Sequence, residues 1–106
     1  MADLPSNPTL AQFQEYVWAI EKERGFIDQT LLEKCLLLGE EIGELFKSIR
    51  KQTGMATDQS TRVSPVAEEL ADTFIMLLSV ANHAGVDLET AFRKKEESNE
   101  QRVWSQ

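Results

Sequence analysis

The sequence predicts an all-α, four-helix bundle-like subunit, and three observations carry that reading. Apolar residues recur at three- and four-residue intervals over four stretches, each stretch is bracketed by helix start and stop residues, and no run alternates apolar and polar residues long enough for a sheet strand. With 106 residues, 42% apolar and 27% charged, the chain has material for one core and no second. Residues 1–106 are therefore expected to form a single domain behind a flexible N-terminal stretch, 1–8.

The first helix follows Asn7-Pro8. Thr9 and Gln12 offer it a capping box, Leu10, Phe13, Val17 and Ile20 supply a buried stripe, and Gly25 is a natural stop. Trp18 falls off that stripe and is expected to be exposed. The second helix opens near Asp28, with Thr30 and Glu33 as another capping box, and runs to Gln52 before Gly54. Its predicted buried stripe is Leu31, Cys35, Leu38, Ile42, Leu45 and Ile49. Cys35, the single cysteine, is read as a small buried hydrophobe and has no partner for an internal disulfide. Gly39 and Gly43 interrupt this helix at a cost of about 1 kcal/mol each against Ala, and their spacing would admit a closely packed neighbour. Residues 54–63, polar and aperiodic, read as a surface loop. The third helix starts with Ser64 as N-cap and Pro65 at its first position, and ends before Gly85. The fourth starts at Asp87 and continues to about Val103.

A net charge of −7 repels a nucleic-acid backbone, which excludes the usual electrostatics of DNA or RNA binding. No apolar run approaches membrane-spanning length, and the N-terminus lacks a basic segment followed by an apolar one. The expected setting is the cytoplasm, with neither nucleic acid nor membrane as partner.

Chemistry enters through carboxylates in unusual places. Asp72 is the only charge between Leu70 and Ala81, in a helix apolar on nearly every side and so expected to be buried. A carboxylate removed from water needs a pair, hydrogen bonds or a metal. Glu69, three residues earlier, projects from the same face. On the second helix Glu41 and Glu44 repeat that spacing, with Leu37 continuing their row one turn earlier and Glu40 turned further away. Antiparallel packing of the two helices would let Glu41, Glu44, Glu69 and Asp72 converge. Oxygen-only ligands select hard cations, so Mg²⁺, with Mn²⁺ as substitute, fits better than zinc or copper. A ferritin-like di-iron site would need Glu-x-x-His, and Val80 stands three residues before His83. His83 is instead read as a helix-end surface residue, and Phe13 as core.

These residues resemble the MazG-like all-α nucleoside triphosphate pyrophosphohydrolases. The likeness rests on Glu40-Glu41-x-x-Glu44, then Glu69-x-x-Asp72 within Glu68-Glu69-Leu70-Ala71-Asp72, and extends to Gly85-Val86-Asp87-Leu88-Glu89 and Lys95-x-x-x-Asn99-x-x-Arg102. The resemblance implies that Glu41, Glu44, Glu69 and Asp72 hold Mg²⁺ and that Glu40, with Glu41, orients the attacking water. The implied reaction converts a nucleoside triphosphate, ribo or deoxy, to its monophosphate and pyrophosphate, a chemistry suited to clearing non-standard nucleotides. It also implies a homodimer or homotetramer whose partner helices complete the site. Phosphoribosyl-ATP pyrophosphohydrolase shares this chemistry and stays open as an alternative, as does a non-catalytic helical oligomerisation or adaptor module.

Fixed cations for the substrate have candidates on the fourth helix. Leu88, Phe92, Lys95, Asn99 and Arg102 lie on one row that turns from apolar to polar. Lys95 and Arg102 are expected to contact phosphate and Asn99 sugar or phosphate; Lys47 is a weaker candidate. Trp18 is expected to wall the site or meet another subunit.

Overall fold

A computed structural model describes residues 2–60 and 62–104. Met1 of the N-terminal stretch, Thr61 of the loop, and the last two residues lie outside the described residues. The described chain contains α1 (Leu10–Arg24), α2 (Leu31–Gln52), α3 (Val66–His83) and α4 (Leu88–Glu100), and no strand. None of these helices is long and apolar enough to cross a membrane.

Local chemistry fixes the boundaries. Thr9 and Thr30 each close a complete capping box, with Gln12 and Glu33 returning the bond to the cap backbone. Gly25 ends α1 at φ 79°, a left-handed conformation that a Cβ would strain. Asp87 caps α4 by accepting from the Thr90 amide. Two predicted ends shift. Pro65, not Ser64, occupies the cap position of α3, and the Ser64 carbonyl instead accepts from Ser48 Oγ at 2.7 Å. The fourth helix stops at Glu100 rather than near Val103.

The two longest helices, α2 and α3, form the principal packed pair; α1 lies on α3, and α4 packs mainly against α1. The corner between α1, α3 and α4 is locked by Gln14. Its amide nitrogen donates to Asn82 Oδ1 at 3.0 Å and to the Val86 carbonyl at 2.9 Å, while its Oε1 accepts from the Leu88 amide at 2.9 Å. Phe13, half-buried, meets Phe74 edge-on at 5.4 Å.

The fully buried core is small: Val17, Ile20, Leu78 and Ala81. The predicted α2 stripe is corrected. Leu31, Cys35 and Ile49 are exposed and Leu38, Ile42 and Leu45 half-buried, whereas Lys34 and Ser48 are the buried members of α2. Toward α3, Leu37 lines a cavity with Ile75 and Met76 and Glu41 meets Glu69 and Asp72, while Lys34 pairs with Glu21 of α1 and Ser48 with the Ser64 carbonyl. Asp72 is likewise exposed rather than buried, because α3 has neighbours on only two sides and Leu70, Ile75 and Leu77 face outward.

Candidate active site

The seam between α2 and α3 gathers the carboxylates. One oxygen each from Glu41, Glu69 and Asp72 lies within 4.8 Å of the others, with Glu69 buried, Glu41 half-buried and Asp72 exposed. Three anions so close repel one another, and burial adds to the cost. Desolvation first, then the charges of Asp72 and Glu69, and after them Glu40 and Glu44, push the Glu41 carboxyl above the usual glutamate range. A divalent cation with an all-oxygen shell relieves that strain, and these donors fit Mg²⁺ or Mn²⁺.

The fourth predicted ligand stands apart: Glu44 lies outside the trio, and its Oε1 is 3.4 Å from Lys47 Nζ. Glu40 is exposed beside the cluster. The α4 row is not brought to the carboxylates. Lys95 and Arg102 are exposed, the Arg102 guanidinium lies 5.8 Å from the centre of the Trp104 ring, and Asn99 reaches Glu96 at 3.4 Å. Trp18 is exposed as expected, and lines a separate shallow groove with Gln14, Asn82 and Val86. His83 corrects the surface reading. Its side chain is only 9% exposed, Nδ1 donates to the Ser79 carbonyl at 2.9 Å, and its ring lies 5.5 Å from that of Trp18.

Next to the carboxylates is a cavity of about 340 Å³ lined by Ile20, Phe26, Leu37, Ile75 and Met76, with Glu21, Arg24, Gln29 and Lys34 as its polar members. Leu37 precedes Glu41 by one turn and Met76 follows Asp72 by one turn, so the cavity begins about 5–6 Å from the cluster along both helices. Of its polar members Glu21 and Lys34 are buried, Gln29 is half-buried and Arg24 exposed. Lys34 Nζ donates to Gln29 Oε1 at 2.7 Å and stands 3.3 Å from Glu21 Oε2, and His83 Nε2 is 3.9 Å from the same oxygen. Sequence reasoning passed over this group, although the spacing held a signal. Glu21 continues the row of Val17 at i+4, and Lys34 lies two turns before Glu41 on α2.

Comparison with known proteins shows the family. Residues 29–103 match the family described as the MazG nucleotide pyrophosphohydrolase domain. A dATP/dGTP diphosphohydrolase of Salmonella phage PMBT28 is 37% identical over 101 residues, which are 93% of this chain; the chain spans 29% of that relative's length. Among solved structures, the MazG-like pyrophosphohydrolase of cyanophage S-2L, bound to dGDP and three catalytic Mn²⁺ ions per active site, superposes with a TM-score of 0.71 at 28% identity, covering 96% of this chain and 88% of that one. iMazG from Vibrio DAT 722 superposes with a TM-score of 0.64 at 28% identity, covering 92% of this chain and 99% of that one. With four helices, the acidic seam and the matched span in agreement, the chain belongs to the MazG family of nucleotide pyrophosphohydrolase domains.

Proposed function

We propose that this chain hydrolyses (deoxy)nucleoside triphosphates to the monophosphate and pyrophosphate, using Mg²⁺ or Mn²⁺ held by Glu41, Glu69 and Asp72. The observation that carries the reading is the meeting of those three carboxylates, one helical turn along α2 and α3 from a cavity of base-accommodating size. The phage relative, a dATP/dGTP diphosphohydrolase, and the S-2L pyrophosphohydrolase, bound to dGDP and Mn²⁺, support the same substrate class.

A divalent cation bound there supplies charge neutralisation on the phosphates and a water of lowered pKa. The chain's own residues do the positioning. Buried Glu69 is the fixed anchor of the trio, and exposed Asp72 is the member facing the solvent from which the triphosphate arrives. Glu41, half-buried in the seam, is placed to accept hydrogen bonds from an attacking water, with Glu40 beside it. The water oxygen bonds to the α-phosphorus, the α–β anhydride breaks, and pyrophosphate leaves with its electron pair. Glu44 would join the ligands by releasing Lys47, which then faces the departing phosphates. Lys95, Asn99 and Arg102 would reach substrate only across a subunit boundary.

Such a boundary is part of the proposal. A compact chain of this mass exposes about 6,000 Å², yet this one exposes 8120 Å². Its radius of gyration is 16.7 Å, against roughly 13 Å for a compact domain of this length. The excess of about 2,000 Å² per chain, about 4,000 Å² for a pair, falls in the range that obligate homodimers bury. Leu32, Leu36 and Phe46 are exposed on one α2 row with Gly39 and Gly43, where an added Cβ would meet nothing within 4 Å. A second copy of this chain, as homodimer or within a homotetramer, would cover that face. Acting on free nucleotides, the enzyme would work in the cytoplasm.

A pyrophosphate-release screen of canonical and modified nucleoside triphosphates with Mg²⁺ or Mn²⁺ tests the reading. Turnover of deoxynucleoside triphosphates that stops on chelation is expected. A folded chain inert on every triphosphate overturns it.

A further inference from the structure

We infer that the buried Glu21–Lys34 pair reads the base, and that it selects guanine over adenine. The inference rests on the proposed function only for what brings the base there: with the triphosphate at the carboxylate trio, the cavity one helical turn away is the place open to the nucleoside. Its walls, Ile20, Phe26, Leu37, Ile75 and Met76, offer flat apolar contact to any base. Discrimination has to come from the polar members.

Their chemistry is specific. Lys34 is 2% exposed and Glu21 7% exposed, and both line the cavity. Glu21 Oε2 is buried and, among the described residues, receives no hydrogen bond, although Lys34 Nζ stands 3.3 Å away. Lys34 gives one of its three protons to Gln29. A carboxylate with an unfilled acceptor beside an ammonium with donors in reserve is a donor–acceptor edge waiting for its complement. Guanine presents N1–H and N2–H to a carboxylate as a bidentate pair and O6 to an ammonium. Adenine offers one N–H to the carboxylate and has no second, so it makes at least one charge-assisted bond fewer. Thymine and cytosine lack the paired donors altogether. A site built to bond polar groups rejects the analogue that leaves them unpaired.

The test measures kcat/KM for dGTP and dATP with Mn²⁺ on the full chain, and the affinities of dGMP and dAMP by calorimetry. Wild type is expected to favour dGTP at least tenfold and to bind dGMP more tightly than dAMP. Glu21→Gln, which removes one acceptor, is expected to bring the dGTP:dATP ratio within about threefold. The double variant Glu21→Met/Lys34→Met, which replaces the pair with apolar groups of similar size, should do the same while retaining the fold. A ratio is indifferent to the fraction of folded enzyme, so a merely structural role for the pair would leave it unchanged. Equal use of dGTP and dATP, or a ratio that survives both variants, overturns the assignment. If no triphosphate is cleaved the catalytic reading falls, and the calorimetric preference still decides this one: dGMP over dAMP sustains it, and equal or no binding overturns it.

Discussion

Replacing Glu41 by Gln separates the stability of this fold from its metal chemistry. Each pair in the Glu41–Glu69–Asp72 trio has oxygens within 4.8 Å. At that distance two unit charges repel by about 1 kcal/mol in water and about 3.5 kcal/mol at the effective dielectric of a protein surface. Asp72 is exposed, so solvent screening holds its pairs near the lower figure. Gln removes the two pairs that involve Glu41 and the desolvation of a charge, so the metal-free variant should be more stable by about 1–3 kcal/mol, and its Tm higher by about 4 °C or more. With Mn²⁺ at a hundred times its Kd, wild type gains about 2.7 kcal/mol and the variant much less. The pH dependence has a definite sign. The folded-state pKa of Glu41 lies above its unfolded value of 4.5, so the folded metal-free chain binds more protons across that window. Wild-type stability without metal therefore falls as pH rises from 4.5 through the raised value, and Glu41→Gln removes that slope. Thermal melts by circular dichroism, in chelator and in Mn²⁺ at fixed protein concentration, read all three effects. A variant no more stable than wild type in chelator, or one lifted equally by Mn²⁺, would refute the reasoning.

Asp72→Asn should abolish pyrophosphate release while leaving the helical circular dichroism unchanged; an active variant would remove Asp72 from the ligand set. Gln14→Leu strands the Leu88 amide and Asn82 Oδ1, and urea unfolding should show a loss of about 2–4 kcal/mol with the active-site carboxylates untouched. Asp87→Ala should speed amide exchange in the first turn of α4. Because its bonds to Thr90 hold the Asp87 carboxyl below the ordinary aspartate value of 3.8, the cap should persist in wild type until pH falls below that value. Phe46→Glu on the exposed α2 face should lower the sedimentation coefficient of the native protein, and an unchanged oligomer would redirect the interface elsewhere.

The four helices were legible because their signals are local. Capping boxes at Thr9 and Thr30 and left-handed glycine at position 25 need no distant partner to act. The acidic seam was legible for a related reason: Glu69 and Asp72 share a helix face by spacing alone, and Glu41 follows once α2 packs on α3. The failures lie where periodicity meets an incomplete core. Sequence periodicity identifies the most apolar stripe of α2 but not what covers it. In this chain Lys34 and Ser48 are buried on α2 and share its covered side with half-buried Leu37, Leu38, Ile42 and Leu45, while Leu32, Leu36 and Phe46 stay open.

That mixture bears on function. A helix normally turns its apolar stripe inward; here the covered side of α2 carries Lys34, Glu41 and Ser48 beside half-buried Leu37, Leu38, Ile42 and Leu45, and its partner helix contributes Glu69. Burying those groups destabilises an isolated chain whose buried apolar core, among the described residues, is Val17, Ile20, Leu78 and Ala81. Two sources can offset the cost. A cation in the trio removes the repulsion, and a second copy on the open apolar face supplies the burial that the core lacks. Both bind the folded state alone and so add to its stability by mass action. Where partner helices complete the site the two are also coupled: Mn²⁺ should raise the Tm more at high protein concentration, where dimers persist, than at low. Melts over a hundredfold range of protein concentration, each with and without Mn²⁺, measure this directly. A metal-induced shift independent of concentration would mean that the carboxylate seam is complete within one subunit.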